Sequence, residues 1–255
     1  MPQHYLLSGS WPLKHLFALA LFVTLVLLGF WQLDRLEQRR AANAARLAVL
    51  AQNPATLTGA EPDLSALLGR RVRLSGTFLN NESVVLRGQK SDSGIDGVHL
   101  LTPLRLSGSG TAVLVDRGWL PASQRDPSAL AAYAVTREIT IEGVALAPQT
   151  RPDSPLAPRD LPLPGEERID AWVRVDVAAI QAQLSVPLLP LYVEQLPEEG
   201  APPLPRPRDP RRLDEGPHLS YALQWFAFAA ILAVGYALLI RSELRKPRRS
   251  AASPP

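Results

Sequence analysis

A single histidine precedes a long apolar run in GPHLSYALQWFAFAAILAVGYALLI, residues 216–240. The run after His218 is long enough, and free enough of charge, to cross a bilayer as a helix. Imidazole is also a common metal ligand, so this stretch bears on both fold and function. A second apolar run, residues 16–33, lies near the other end of the chain and is followed at once by charged residues. The sequence therefore predicts two membrane spans with one domain between them.

The basic residues of the chain indicate its orientation in the membrane. Five Lys or Arg residues and one Glu follow residue 240, a charge that exceeds the net +3 of the whole chain. Basic residues just beyond a span favour the cytoplasmic side, so both termini are expected inside and the central domain outside. Arg35, Arg39 and Arg40 oppose this, but long domains translocate largely regardless of charge. The basicity thus reflects topology and not a nucleic-acid surface.

Two interpretations of the first apolar run are open, a retained anchor and a cleaved signal sequence. Ala42-Asn43-Ala44 offers small residues for cleavage, but they lie well past the end of an unusually long run. A retained anchor is favoured. The predicted layout is a cytoplasmic N-terminus (1–15), span 1 (16–33), a helical stalk (34–53), a β-rich extracytoplasmic domain (54–196), a proline-rich tether (197–217), span 2 (218–240) and a basic cytoplasmic tail (241–255).

The central residues predict a small antiparallel barrel or sandwich, which makes the fold class a membrane protein of α+β type. Val72, Leu74, Gly76 and Phe78 alternate with polar residues, as in a half-buried strand over 71–78. Further short β-rich runs lie between turn signals, at 83–87, 99–106, 112–117, 138–146, 172–177 and 188–195. Asp176 is placed to cap a short helix over 177–184. Proline clusters at 148–164 and 197–210 predict extended loops.

The residue types argue against most catalytic chemistry. The chain has no Cys, and it has no nucleophile elbow, phosphate-binding loop or dinucleotide-binding turn. Its four histidines are scattered singly, which argues against a zinc cluster, and one Met leaves few soft ligands for copper. Haem differs, because one axial ligand is enough and the rest of its binding is apolar contact and cationic partners for the propionates. An enzyme is the least favoured class.

His218 suits an axial ligand better than the other histidines, which lie near the predicted inner face or in a predicted strand. On a helix beginning near His218, Tyr221 and Trp225 follow at i+3 and i+7 and form an aromatic face. The helix N-terminus disfavours imidazolium, which keeps a neutral nitrogen available for iron. The residues alone leave a second interpretation open, in which His218 and its aromatic neighbours are an interfacial anchor.

The end of the first span supplies the other half of a haem site. Trp31, Arg35 and Arg39 recur at i, i+4 and i+8 along one helix stripe, at the same membrane level as His218. The two guanidinium groups are candidate partners for propionates, and Trp31 is a candidate packing residue. Arginines that flank a span are also commonly solvated charges, and that interpretation stays open.

A turn after a predicted buried strand reads Asp116-Arg117-Gly118-Trp119-Leu120-Pro121. Structural roles are expected here, because aromatic residues beside a buried strand are usually part of a core. Trp119 is expected to pack and Arg117 to be paired.

Three motifs carry a resemblance to a known family: LGFWQLDR (28–35), VDRGWLP (115–121) with the preceding TPL (102–104), and HLSYALQWF (218–226). They are similar to Gly-x-Trp-Gln-x-x-Arg, Arg-Gly-Trp-Val-Pro and His-x-x-Tyr-Ala-x-x-Trp-Phe in the Surfeit locus protein 1 family, membrane assembly factors for cytochrome c oxidase. The likeness runs nearly end to end. The chain departs from the family at Gly216-Pro217, where members often carry Asn, and at Leu120 in place of Val.

The resemblance implies a bacterial chaperone of the respiratory chain, a multi-pass protein of the cytoplasmic (inner) membrane. Its implied partners are subunit I of cytochrome c oxidase, the heme a synthesis machinery and the lipid bilayer. The resemblance also implies that heme a is bound transiently, as cargo, through the histidine that is His218 here. The alternative is a docking module without cofactor that stabilises oxidase assembly intermediates. The candidate site comprises His218, Tyr221, Trp225, Trp31, Arg35 and Arg39.

Overall fold

The computed structural model describes residues 9–150, 160, 162 and 168–245. The helices are α1 (Trp11–Leu50), α2 (Pro127–Leu130), α3 (Val177–Gln181) and α4 (His218–Arg245). The strands are β1 (Ala55–Thr56), β2 (Arg71–Phe78), β3 (Val84–Lys90), β4 (Asp96–Leu106), β5 (Ala112–Pro121), β6 (Ile139–Leu146), β7 (Ala171–Trp172) and β8 (Leu188–Gln195). The chain forms two compact units: a barrel unit, Arg46–Arg212, and a helix unit made of the residues up to Ala45 and from Leu213 onward.

Helices α1 and α4 are both long and apolar enough to cross a membrane. The predicted first span lies within α1, and most of the predicted stalk continues the same helix. Helix α4 begins at His218, directly after Pro217, whose fixed φ suits the start of a helix. Two terminal helices that flank a β-rich domain are therefore confirmed.

The two long helices pack against each other as an antiparallel pair. Phe30 meets Phe226 edge to face with 5.4 Å between ring centroids, and a Cβ on Gly29 would lie only 2.5 Å from the Phe226 ring. Near the other end, the Tyr236 hydroxyl lies 2.6 Å from His15 Nδ1. Glycine at position 29 thus lets an aromatic ring from one helix lie directly on the backbone of the other.

Five strands close into a barrel in the order β2, β6, β8, β5, β4 and back to β2. Strand β2 has the predicted bounds, and its alternate residues Val72, Leu74 and Phe78 are buried. Val113 and Val115 of β5 join them in the interior. Read in the opposite direction, the ring is β2, β4, β5, β8, β6, which are the first, second, third, fifth and fourth barrel strands along the chain. This is the connectivity of a Greek-key barrel of the OB type. The structure thus selects the predicted barrel over the predicted sandwich.

One pairing in the ring differs from the antiparallel arrangement that was predicted. Strands β5 and β8 are parallel, with Asp116 opposite Glu194. A closed ring with an odd number of strands must contain at least one parallel pair, because strand directions cannot alternate all the way round. Parallel neighbours need a crossover connection, and the long segment between β5 and β8, which includes β6 and α3, provides it.

A second core covers the outer face of β4, β5 and β8. It contains Leu101 and Leu114 of the barrel strands, together with Trp172 and Ile180 from the segment before β8. The predicted strand over 172–177 is wrong beyond Trp172, because the chain bends at residues 173–174 and Asp176 then starts α3. Its side chain accepts a hydrogen bond from the Ala179 N–H at 3.1 Å, as expected of the cap, although the helix ends at Gln181 and not at 184.

The second proline cluster is pinned to the barrel. Trp119 N–H donates to the Arg206 carbonyl at 2.8 Å, and Arg206 N–H donates to the Trp119 carbonyl at 2.9 Å. Gly118 permits this approach, since its φ is +110° and a Cβ there would lie 2.3 Å from the Arg206 backbone. The first proline cluster, 148–164, lies largely outside the described residues.

Candidate functional site

His218 is held by a side chain of the other long helix. Its Nδ1 lies 3.0 Å from Oε1 of Gln32, a residue 186 positions away in the chain. In the tautomer that satisfies this contact, Nδ1 donates to the Gln32 oxygen and Nε2 keeps its lone pair. A hydrogen bond to one ring nitrogen is the usual way in which proteins orient a histidine that binds a metal through the other. The imidazole is therefore half-buried and oriented by Gln32.

The residue before Pro217 shapes the space beside this nitrogen. Gly216 has a φ of +75°, and a Cβ on it would lie 3.4 Å from both Nε2 and Cδ2 of His218. Its N–H donates to Asp214 Oδ1 at 2.8 Å, which closes the turn into α4. Any larger residue would be strained in this backbone conformation and would contact the imidazole edge that carries the lone pair. Glycine at position 216 thus leaves the Nε2 edge of His218 without a Cβ against it.

The segment that leads into His218 is fixed to α1. Arg40 binds Glu215 through two hydrogen bonds, of 3.0 and 2.8 Å, and this partner lowers the pKa of the Glu215 carboxyl below its usual value. The Asp214 carbonyl accepts from Arg39 Nε at 3.2 Å and from Asn43 Nδ2 at 3.3 Å. These contacts hold the turn before His218 close to the first helix.

The two predicted propionate partners differ from Arg40 in their contacts. Arg35 donates to Gln38 Oε1 at 2.9 Å on its own helix, and Arg39 donates only to a backbone carbonyl. Among the described residues, neither lies within ion-pair distance of a carboxylate. Both guanidinium groups are exposed and retain donors for an anion.

The aromatic residues of the predicted site lie on the surfaces of the two helices. Trp31 is 54% exposed and Tyr221 is 46% exposed. Trp225 is half-buried and meets Phe228 edge to face, with 6.1 Å between ring centroids. Within the described part of the chain, no direct ring contact joins Trp31 to Tyr221 or Trp225. The structure therefore brings His218 together with the motif of the first span through Gln32 and not through the aromatic rings.

Sequence reasoning missed Gln32, Arg40 and Asn43 as members of the site. Gln32 lies between Trp31 and Arg35 in the first motif, and that position was the signal that could have indicated a role in the site. Arg40 and Asn43 gave no signal, because their partners lie some 170 residues further along the chain.

The other described histidines occupy separate places. His15 contacts Tyr236 in the helix pair, and His99 is buried in the barrel unit with Nδ1 at 2.8 Å from Asp116 Oδ2. No group of three or more His, Asp or Glu side chains in the described ranges is arranged to hold a metal ion. His4 lies outside the described residues.

The Asp-Arg-Gly-Trp turn lies in the barrel unit. Trp119 is buried, which confirms its predicted packing role. Arg117 is paired with the Tyr133 carbonyl, to which its Nη2 donates at 2.7 Å, and with the Phe78 ring, 4.6 Å from the guanidinium carbon. Asp116, next to it, accepts the Gly118 N–H at 2.9 Å and pairs with His99 on the outer face of the barrel.

These features define a class: a protein with two membrane-length terminal helices, a five-stranded barrel between them and an oriented histidine at the start of the second helix. A family model described as the SURF1 family matches residues 19–230, which is most of the chain. The chain belongs to the SURF1 family.

Individual relatives cover nearly the whole chain. A SURF1-like protein of Rickettsia felis is 28% identical, over 89% of this chain and 97% of the relative. A SURF1-like protein of Monosiga brevicollis is 27% identical, over 86% and 87%. Surfeit locus protein 1 of Arabidopsis thaliana is 26% identical, over 86% and 75%. The family match over residues 19–230 includes all the barrel strands and part of each terminal helix.

Proposed function

We propose that this protein is a membrane-bound assembly factor for cytochrome c oxidase that binds heme a and assists its insertion into subunit I. The protein acts by ligation and release, without making or breaking a covalent bond in its cargo. Membership of the SURF1 family supports the oxidase as the target. The proposal places the protein in a bacterial cytoplasmic membrane, with both termini inside and the barrel outside.

The observation that carries haem binding is the hydrogen bond between His218 Nδ1 and Gln32 Oε1, at 3.0 Å. It orients the ring, and in the tautomer that satisfies it Nε2 has the free lone pair with which a neutral imidazole binds iron. Gly216 keeps the free edge of the ring uncovered.

The surroundings of His218 suit the remaining parts of a haem. Arg35 and Arg39 offer guanidinium groups that no carboxylate of the described residues pairs with, and a propionate accepts from such a group through charge-assisted hydrogen bonds. Trp31, next to Gln32 on α1, and Tyr221 and Trp225, which follow His218 on α4, provide apolar surface near the contact between Gln32 and His218. Haem would be held by one axial ligand and by contacts that are individually weak, which suits a cargo that must leave again.

The test is the visible absorption spectrum of the full-length protein purified from cells that make heme a. We expect a haem spectrum in the wild type, its loss in His218→Ala, and a decrease of about 10- to 100-fold in haem affinity in Gln32→Leu, because the ring loses its orienting acceptor. His15→Ala is the matched control, since it removes the other histidine of the same helix pair. That variant should retain its haem.

Two outcomes would contradict the proposal. An intact haem spectrum in His218→Ala would remove the axial ligand assignment, and absence of haem from the wild type would favour the docking module without cofactor. Copurification of subunit I with the haem-free His218→Ala variant would show that the docking role is separate from haem binding.

A further inference from the structure

The barrel opens at one end into a cavity of about 760 Å³. The ends of the barrel strands form its floor, and residues 132–135 and the proline-rich segment 200–207 form its walls. Most of the lining is apolar, with Phe78, Ile139, Leu196 and Leu204 among its members. Mouths of β-barrels are common places for small-molecule sites, and the volume is within the range of such sites.

A buried arginine lines this cavity. Val113 and Val115 of β5 point into the barrel, and Arg117 continues the same alternation at its open end. Arg117 is only 8% exposed, yet it forms no ion pair with a carboxylate among the described residues. Its contacts are the Tyr133 carbonyl and the face of the Phe78 ring. Burial lowers the pKa of Arg117 to about 10, so the group still carries its charge at neutral pH.

A buried cation without a counter-charge is costly unless something pairs with it. The guanidinium of Arg117 has five N–H donors. Among the described residues, the Tyr133 carbonyl accepts from one of its nitrogens, so most of these donors are available to a ligand in the cavity. Three other charged side chains line the cavity, Arg137, Glu198 and Glu199, and all three are exposed. The two glutamates lie beyond ion-pair distance of Arg117, and their charge disfavours anions with more than one negative charge.

We propose that this cavity is a binding site for an organic monocarboxylate on an apolar body, with Arg117 as the partner of the carboxylate. The apolar body packs against the wall of Phe78, Ile139 and Leu204. A free fatty acid and the C-terminus of a polypeptide with apolar last residues share this chemistry. The site lies entirely within the barrel unit, whereas His218 belongs to the helix unit.

The experiment uses full-length protein in lipid nanodiscs and isothermal titration calorimetry, with empty nanodiscs as the blank. The probes are 4-phenylbutyrate and the dipeptide acetyl-Leu-Phe with a free carboxyl group, each compared with its amide. We expect the carboxylate probe that binds to have an affinity for the wild type at least about tenfold higher than that of its amide. The amide cannot form the charge-assisted hydrogen bond to Arg117. Preference for one probe distinguishes a small amphiphile from a peptide terminus.

The variant Arg117→Met removes the charge and keeps an apolar side chain of similar length. It should bind acid and amide equally, whereas Arg117→Lys should keep part of the preference because it keeps the charge. Arg137→Met is the matched control, an exposed arginine of the same cavity, and should change affinity by less than about twofold.

Several outcomes would overturn the proposal. These are equal affinity of acid and amide for the wild type, an undiminished preference in Arg117→Met, or no binding of either carboxylate at millimolar concentration. The comparison of acid with amide on the wild type needs no substitution, so it decides the question even if Arg117→Met does not fold.

Discussion

Glu194 of β8 lies opposite Asp116 of β5 in the parallel pair. Burial raises the pKa of the Glu194 carboxyl, and the neighbouring Asp116 charge raises it further. Glu142 is the opposite case, because hydrogen bonds from Arg71 and then Arg73 lower the pKa of its carboxyl. The pKa values of these two barrel glutamates are thus shifted in opposite directions.

The sign of each effect on stability follows from proton linkage. The folded state holds the Glu194 proton more tightly than the unfolded state, whose pKa lies near 4.5, so stability falls as pH rises through the interval above that value. Glu142→Gln removes a carboxylate whose stabilisation is present above pH 4.5 and is lost as pH falls through its lowered pKa. Partly exposed ion pairs of this kind contribute up to about 1 kcal/mol.

We therefore expect Glu194→Gln to raise the thermal midpoint of the full-length protein in detergent more at pH 7 than at pH 4. Glu142→Gln should lower the midpoint more at pH 7 than at pH 4, and it serves as the control of opposite sign. The measurement is circular dichroism at a strand-sensitive wavelength across this pH range. A Glu194→Gln effect that does not change with pH would contradict the assignment.

Individual residues show where sequence reasoning stops. The alternation at Val72, Leu74 and Phe78 gave the buried face of β2 correctly, because that pattern depends on neighbours in the chain. The contact of His218 with Gln32 depends on two helices meeting 186 positions apart, and nothing local encodes it. The burial of Arg117 without a carboxylate was also invisible, since its partners Phe78 and Tyr133 come from other elements.

At the scale of elements, the docking of the proline-rich segment on β5 depends on one glycine. A Cβ at position 118 would lie 2.3 Å from the backbone of Arg206 and 2.4 Å from that of Pro207, and backbone atoms cannot move aside as a side chain can. The φ of +110° adds strain for any residue with a side chain. This accounts for the glycine in the Arg-Gly-Trp motif in physical terms.

We expect Gly118→Ala to destabilise the barrel unit by on the order of 3 kcal/mol, through backbone strain and the loss of the Trp119–Arg206 pairing. In full-length protein this corresponds to a decrease of roughly 10 °C in the thermal midpoint. Tryptophan fluorescence should shift to the red as Trp119 becomes exposed.

Two other glycines separate the causes of this effect. Gly108→Ala meets an open space at a φ of +73° and should show the cost of strain alone, about 1 kcal/mol. Gly110→Ala also meets open space, without a positive φ, and should leave the midpoint nearly unchanged. A Gly118→Ala midpoint equal to that of Gly108→Ala would show that the segment does not lie against β5.

Strand existence was largely predictable, and strand pairing was not. The apolar alternation located β2 with its observed bounds, because it reports which face of a strand is buried, and a β-rich run between turn signals located β8 with its observed bounds. The parallel pairing of β5 with β8 follows from ring closure, which is a property of all five strands together. The run 172–177 was misassigned as a strand because its residues are β-prone, whereas Asp176 within the run caps the start of α3.

At the scale of the whole molecule, the charge at the two ends of the chain determines the expected orientation. Five basic residues follow the second span, and Lys14 is the only one in residues 1–15. Arg35, Arg39 and Arg40 after the first span act against the expected topology. Which of the two clusters dominates decides whether the barrel unit and the site at His218 face the outside.

We expect both termini inside, because the tail cluster lies directly beyond the second span and a long domain such as the barrel translocates largely regardless of its charge. Alkaline phosphatase fused after Pro255 should be inactive in cells, and the same enzyme inserted after Gly200, an exposed glycine in open space, should be active. Replacing the five basic tail residues by Gln should increase phosphatase activity at Pro255 several-fold, whereas replacing Arg35, Arg39 and Arg40 by Gln should not. Activity at Pro255 in the unaltered chain would place His218 at the cytoplasmic surface, and insertion of heme a from the outer face would then be ruled out.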